Sequence, residues 1–495
     1  MNTRYYTRRD FLKTVGFGTA SLAMPSCLFA AQKNSAGDKR PNVLFLVVDD
    51  LRPQLSCYGH KQMLSPNIDR LASDGVTFLR SYCQVPVCGA SRASLLTGVR
   101  PTRDRFLNYN VWAEKDLPGA LVLPKHFRNN GYHTISNGKV FHHQTDCADS
   151  WSEEPWRPAG GWIGRGYLAE KSKTIAQASK EGMGPAYESA DVGDSKYPDG
   201  KIADKAVSDL RRLAEMDKPF FLALGFLKPH LPFNAPKKYW DLYRREDIDL
   251  ADNPFRPKGA PDAALHNWGE LRAYYGIPPK GPLPDELART LVHGYYACVS
   301  YTDAQIGRVL AELGSLHLRD NTIVLLWGDH GWNLGEHGLW CKHCNFETSL
   351  HSPLIVTSPG IKGGKKSNAL TEYLDIYPSL SELCNLPRPA HLQGTSFVPL
   401  MTRLGAASRS GESANLPGKK AVFSRYQDGD SVKTDRYRYT EWRDKNGKMY
   451  ARMLYDHHID PFENVNISER PENKELVEEL SKMLENVRAI STKLY

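Results

Sequence analysis

Three short clusters of ionisable residues follow apolar runs. Asp49-Asp50 closes the run over residues 43–48, Gly328-Asp329-His330 closes the run over 322–327, and Lys228-Pro229-His230 comes just after the run over 220–224. Continuous apolar runs of this length read as strands buried on both faces. In an open α/β sheet, ligands collect outside the carboxyl ends of the strands, so the clusters are expected to meet at one edge. Asp49, Asp50, Asp329 and His330 would then form a set of hard donors suited to Ca2+ or Mg2+ rather than zinc. A fourth cluster, Cys88-Gly89-Ala90-Ser91-Arg92-Ala93-Ser94-Leu95-Leu96-Thr97-Gly98, puts a cysteine just before a helix whose N-cap is expected at Ser91. Anions bind at helix N-termini, and Arg92 is placed to hold an oxyanion or the nucleophile's charge. Singly, an Asp-Asp pair is a solvated turn or a cap, and an isolated cysteine is a buried structural residue. Two acidic clusters at strand ends and an eleven-residue pattern favour chemistry.

The elements that must position these residues alternate along the chain. A shorter extended segment lies at 133–136, and helical patterns occupy 65–74, 91–97, 201–216 and 287–313. Such alternation predicts an α/β fold, a mostly parallel sheet flanked by helices. Residues 150–199 and 253–284, rich in Pro, Gly and polar side chains, read as irregular insertions. After residue 385 the texture changes. Three antiparallel strands are expected at 421–426, 436–442 and 449–455, with a turn at 444–447 and a last amphipathic helix over 473–490. The organisation expected is a catalytic domain over 40–385 and a smaller C-terminal α+β subdomain over 386–495.

The segment from Cys88 to Gly98 resembles the signature of the type I sulfatases, Cys-x-(Pro/Ala)-x-Arg followed by a small, apolar run and Thr-Gly. Asp49-Asp50 after Pro41-Asn42-Val43, the run from Ser65 to Ala72, Gly328-Asp329-His330-Gly331, Gly335-Glu336-His337-Gly338 and the tail from Leu454 to Asn464 extend the likeness over almost the whole chain. Gly138-Lys139-Val140-Phe141-His142, the segment Lys228 to Phe233 and the segment Gly335 to Phe346 resemble the iduronate-2-sulfatase branch in particular. The resemblance implies an alkaline-phosphatase-like fold and one Ca2+ ion held by Asp49, Asp50, Asp329, His330 and the oxidised Cys88. It also implies conversion of Cys88 to formylglycine by a formylglycine-generating maturation enzyme. One hydroxyl of the hydrated aldehyde attacks sulfur and the sugar alcohol leaves; the other then loses its proton and expels sulfate, restoring the aldehyde. Arg92, Lys139 and Lys342 would neutralise charge on the transferred group, His230 would protonate the leaving oxygen, and His142 would assist the nucleophile's deprotonation. Residue 90 is Ala where the branch has Pro, so maturation depends on a host enzyme that accepts Ala. The implied substrate is a sulfated oligosaccharide, with the 2-O-sulfate of a uronic acid in glycosaminoglycan fragments first and an algal polysaccharide as the alternative. Tyr109, Trp112, Trp332 and Trp340 stand near the motifs and offer faces for a sugar or for packing. A phosphonate or phosphate ester hydrolase and a non-catalytic carbohydrate binder are the competing readings.

Composition sets the outer bounds. The chain has 495 residues, 41% of them apolar and 24% charged, which excludes a disordered or fibrous protein. The net charge of +8 is too small over this length to argue for nucleic acid. Residues 1–31 hold Arg8-Arg9 ahead of a soft apolar stretch, the pattern of a twin-arginine-type export signal in bacteria. The expected location is the periplasm, the cell surface or the medium. No membrane span is expected, and a lipid anchor on Cys27 is the alternative to simple cleavage. Nine cysteines at irregular spacing form no disulfide framework, and Cys341-x-x-Cys344 lacks the second pair that a zinc site needs.

Overall fold

The computed structural model describes residues 40–159, 166–179, 182–403 and 418–492. The expected export signal and Cys27 lie outside these. The central sheet has seven strands: β1 (Asn42–Val48), β2 (Val76–Phe78), β3 (His133–Gly138), β4 (Phe220–Phe226), β5 (Thr322–Gly328), β6 (Leu354–Thr357) and β7 (Lys365–Ser367). Their spatial order is β7-β2-β6-β5-β1-β4-β3. β3, β4, β1 and β5 run parallel, and β6 runs antiparallel to both β5 and β2. The sheet is thus mixed and mostly parallel, as the alternation of elements predicts.

Strand periodicity splits the core into two layers. Leu44, Leu46 and Val48 of β1, with Leu222 and Leu224 of β4, face α3 (Pro198–Ala214) and α4 (Asp285–Ser315). Val43, Phe45 and Val47, with Phe221 and Ala223, face the layer containing α2 (Cys88–Thr97). Each large apolar side chain so buried contributes roughly 1.5–3 kcal/mol. Two covered faces explain why these strands read as unbroken apolar runs. The helix α1 (Pro66–Asp74) takes its N-terminal hydrogen-bond acceptor from a distant helix: Asp303 of α4 accepts from the backbone N–H of Ile68 at 2.7 Å and of Asn67 at 3.2 Å.

The C-terminal part carries a four-stranded antiparallel sheet of β8 (Ala421–Tyr426), β9 (Gly429–Thr434), β10 (Tyr437–Arg443) and β11 (Met449–Asp456), covered by α5 (Lys474–Thr492). The sequence pattern predicts three strands here, and the structure adds β9 as a fourth. That strand, GDSVKT, has a single apolar side chain, Val432, and owes its state to pairing with β8 on one side and β10 on the other. Among the described residues no helix is long and apolar enough to cross a membrane.

Candidate active site

Register alone brings the acidic clusters together. Val48 of β1 pairs with Gly328 of β5 and with Phe226 of β4, and Gly138 of β3 pairs with Gly225 of β4. The residues that follow these strand ends are Asp49-Asp50, Asp329-His330, Leu227-Lys228 and Lys139, so all leave the sheet at one edge. The backbone N–H of Asp50, itself in the left-handed region at φ 61°, donates to Asp329 Oδ1 at 2.9 Å. The loop to His230 is held by Asp199, whose carboxylate accepts from the N–H of Leu227 and of Lys228, both at 2.8 Å.

The helix α2 starts at Cys88, three residues earlier than expected, and Val87 is its cap residue. Ser91 does not cap it: its N–H makes an intrahelical bond to Val87 O, and its hydroxyl donates to Asp329 O at 2.5 Å. Cys88 is therefore the first helical residue, with the free N–H groups of the first turn around it. Gly89 has a steric reason. A Cβ there would lie 2.6 Å from Tyr109 O, so only glycine lets the 106–111 loop pack against the start of the helix.

Cys88 Sγ lies 3.2 Å from His330 Nε2 and 3.8 Å from Asp50 Oδ1. His330 Nε2 is 3.3 Å from Asp50 Oδ1 and 3.7 Å from Asp329 Oδ1. Its Nδ1 donates to Gly331 O at 2.9 Å, which leaves a lone pair on Nε2 aimed at the carboxylates. These donors, all fully or nearly buried, converge as a metal-ligand set does. Burial pushes the Asp50 carboxyl up to about 7 against the pull of Lys342, so a bound cation would relieve a buried carboxylate that is otherwise hard to ionise. The residues present fit a hard divalent ion.

Asp49 differs from its neighbour. Burial raises its pKa, but Lys139 and Arg92 outweigh that and hold it well below the usual range. Lys139 Nζ stands 2.5 Å from Asp49 Oδ2. Arg92 is fully buried and spans the two strand ends: NH2 to Asp49 Oδ1 at 3.1 Å, Nε to Asp329 Oδ2 at 3.0 Å, with NH1 donating to the carbonyls of Lys139 and Val140. Arg92 thus ties the two strand-end carboxylates together from behind.

Lys342 Nζ occupies the other flank, 3.2 Å from both Asp50 oxygens, 3.1 Å from His230 Nε2 and 4.8 Å from the centre of the Trp332 ring. It also meets Glu270, at 3.1 Å to Oε1 and 3.0 Å to Oε2, and Glu270 Oε1 is 3.0 Å from His230 Nε2. Glu270 was not foreseen. It sits on a single helical turn, Gly269–Arg272, in a segment that reads as an irregular insertion, with no motif around it. His230 Nδ1 is fixed on Leu231 O at 2.7 Å; burial and then Lys342 lower its pKa to about 4, and Glu270 pulls it back up. His142 is likewise lowered, by burial and then Lys139.

Cys88, His142, His230, Glu270 and Lys342 all line one cleft of about 770 Å³, while Asp49, Arg92 and Asp329 stand behind its floor. Of the four aromatic candidates only Tyr109 lines the cleft. Trp332 and Trp340 are core residues, and Trp112 stacks on His143 at 4.3 Å. All cysteines among the described residues are free thiols, including Cys341 and Cys344.

A mixed α/β sheet with a buried cysteine at a helix start, an acidic pocket and two histidines at its carboxyl edge defines an alkaline-phosphatase-like ester hydrolase. The chain belongs to the sulfatase family and is a sulfuric ester hydrolase: the sulfatase family model matches residues 41–386, and the model of the C-terminal part of N-sulphoglucosamine sulphohydrolase matches 335–490. Iduronate 2-sulfatase of Mus musculus is 36% identical over 430 residues, 78% of this chain and 76% of that one. A sulfatase of Formosa agariphila is 30% identical over 513 residues, 97% and 93% of the two chains. Among solved structures, an enzyme in complex with its substrate D-glucosamine-2-N,6-O-disulfate superposes with a TM-score of 0.70 at 22% identity, covering 92% of this chain and 99% of that one. The phosphonate monoester hydrolase of Silicibacter pomeroyi superposes with 0.71 at 20%, covering 91% and 96%. At such identities these two establish the fold alone.

Proposed function

We propose that this enzyme removes sulfate from a sugar ester with residue 88, matured to formylglycine, as nucleophile and one Ca2+ ion beside it. The observation that carries the reading is the meeting of Cys88 Sγ, His330 Nε2 and Asp50 at the floor of a cleft walled by Lys342, His230 and His142. Asp49, Asp50, Asp329 and His330 would hold the ion, with residue 88 at its edge; the ion supplies a Lewis acid for a sulfate oxygen. Lys342 balances the charge of the bound sulfate group from the open side. Arg92 and Lys139 hold Asp49, and Arg92 also Asp329, so that the carboxylates need not reorganise. His230, with Nδ1 fixed on a backbone carbonyl, presents Nε2 to the leaving oxygen and donates the proton that the departing alcohol needs. His142, kept neutral by burial and Lys139, is suited to accept a proton from residue 88.

The substrate read here is the 2-O-sulfate of a uronic acid in glycosaminoglycan oligosaccharides. Support comes from the identity to iduronate 2-sulfatases over three quarters of both chains. Another sulfated polysaccharide is the alternative. We further read the protein as exported through a twin-arginine-type signal and matured by a formylglycine-generating enzyme that accepts Ala90. The test is sulfate release by protein matured in a competent host, on 2-O-, 4-O- and 6-O-sulfated disaccharides and algal fragments. Release from 2-O-sulfated uronates alone supports the reading; release only from a 6-O-sulfated or algal sugar keeps the chemistry and overturns the substrate.

A further inference from the structure

Three histidines serve the site, and they are not held in the same way. His230 and His330 each fix their own ring: Nδ1 of the one lies 2.7 Å from Leu231 O, and Nδ1 of the other 2.9 Å from Gly331 O. His142 lines the cleft, but its Nδ1 is buried and has no hydrogen-bond partner among the described residues. A ring without such a tie is only as well placed as the backbone that carries it. That backbone is the loop 138–142, which leaves the sheet at the end of β3. Packing of Val140 and Phe141 in the core sets the depth of the loop, but not the direction of its peptide planes.

Two guanidiniums set those planes. Arg92 NH1 donates to Lys139 O and to Val140 O. Arg157 takes the remaining carbonyls: Nε donates to Gly138 O at 3.2 Å, and NH2 to Phe141 O at 2.8 Å and to His142 O at 3.0 Å. Every carbonyl from 138 to 142 thus accepts from an arginine. The single N–H of Nε and the pair on NH2 match the carbonyls that Arg157 holds. Backbone pairing delivers Arg157 to this place. Residues 152–156 run along the outer edge of β3: the N–H of Ser152 donates to Thr134 O at 2.8 Å, that of Trp156 to Ser136 O at 2.9 Å, and that of Gly138 to Trp156 O at 2.8 Å. Arg157 follows directly. Among the described residues it makes no ion pair, so its donors serve the loop and not a carboxylate. Burial and then the charge of Arg92 lower its pKa to about 10, which still leaves it a cation at neutral pH.

We propose that Arg157 is the positioning residue for His142: through the carbonyls of residues 138, 141 and 142 it fixes the backbone that carries the imidazole into the cleft shared with residue 88. Arg157 does not itself line that cleft. Lysine replaces it only in part, because an ammonium has no planar fork to hold several carbonyls in set directions. The inference rests on the proton-accepting role read for His142 and adds the group that places it.

The test compares matured full-length wild type with Arg157→Gln and Arg157→Lys, each rate referred to the fraction of residue 88 present as formylglycine by peptide mass. In Arg157→Gln kcat should fall about a hundredfold with KM changed less than about threefold, and in Arg157→Lys kcat should fall about tenfold. A loss of stability alone would lower the melting temperature and the amount of active enzyme, but not kcat per matured site. The route through His142 is read from a double-mutant cycle: in a His142→Ala background, Arg157→Gln should cost less than about threefold. The full loss in that background, or an unchanged kcat in Arg157→Gln, overturns the proposal. If Arg157→Gln does not fold, Arg157→Lys carries the same comparisons. Hydrogen exchange of the peptide holding residues 138–142, read by mass spectrometry, separates this from failure of the activity. That peptide should exchange faster in Arg157→Gln than in wild type, and equal exchange overturns the hold on the loop. Faster exchange in a matured protein that releases no sulfate supports the hold of Arg157 and overturns the sulfatase reading.

Discussion

The carboxylate of Glu270 stands 3.0 Å from Nε2 of His230, the atom read here as the proton donor to the leaving oxygen. Burial and Lys342 lower the pKa of His230, and Glu270 opposes both. In Glu270→Gln that opposition is gone, so the imidazolium exists only at lower pH. A general acid works in its protonated form, and the alkaline limb of the kcat profile should move to lower pH. We expect kcat to fall tenfold to a hundredfold at neutral pH, with a smaller change in KM. A kcat–pH profile of the variant checks this; a limb that stays in place or moves up contradicts the role.

Cys88→Ala should release no sulfate while keeping the wild-type circular dichroism spectrum. The side chain is 3% exposed and small, so its loss leaves little unfilled space beside the floor of the cleft. The mass of the peptide holding residue 88 in wild-type protein from a competent host should be that of formylglycine. An unmodified cysteine in fully active enzyme would refute the nucleophile.

Metal removal has a pH signature. Without a cation, burial lifts the Asp50 carboxyl to about 7 from the usual 3.8. Between those values the folded state binds a proton that the unfolded state does not, so the contribution of Asp50 to stability falls as pH rises from about 4 to 7. A bound divalent ion replaces that proton. Calcium added to chelated protein should therefore raise the melting temperature more at pH 8 than at pH 5 and restore activity. Differential scanning fluorimetry at both pH values is the measurement, and an equal shift at both would count against Asp50 as a ligand.

Much of this was legible in the sequence, for a physical reason. Strands buried on both faces leave unbroken apolar runs, so β1, β4 and β5 and the polar residues at their ends could be located, and parallel register then brought Asp49 and Asp50 to Asp329 and His330. What escaped depended on contacts between distant segments. The strand β9 has one apolar side chain and forms because two neighbours pair with it. Ser91 looked like a cap, but a carbonyl from the end of β5 takes its hydroxyl and the helix begins at Cys88. Glu270 lies in a stretch without periodicity, and only the fold brings it to Lys342 and His230.

Gly89→Ala tests the joint between the start of α2 at Cys88 and the cleft wall. The added Cβ would stand 2.6 Å from the carbonyl oxygen of Tyr109, and that atom is backbone, so the loop must shift. Overpacking of this kind costs roughly 1–3 kcal/mol. Since the displaced loop carries Tyr109, KM for a disaccharide should rise with it. Denaturant midpoints and Michaelis curves measured on the same preparation should show both effects.

The C-terminal sheet is tied to the segment bearing Lys342 by buried ions. Arg438 of β10, 1% exposed, meets Glu347 and Glu463, with Nε 3.1 Å from each carboxylate. Glu463 Oε2 accepts from the N–H of Glu347 at 2.8 Å, and Glu347 also accepts from the hydroxyl of Tyr82 at 2.7 Å. Glu347 is five residues after Lys342, so this network anchors the far end of the loop that crosses the active site. Arg438→Leu would leave the buried Glu463 and the partly exposed Glu347 without their guanidinium, and losing one partner of a buried pair such as Arg438–Glu463 costs about 3–5 kcal/mol. Arg438→Lys keeps the charge but not the planar fork and should lose less. We expect the denaturation midpoint to fall in the order wild type, Lys, Leu, and kcat to fall in the same order, because Lys342 loses its fixed position beside Asp50. A Leu variant with lower stability but unchanged kcat would show that the network supports the sheet without holding Lys342.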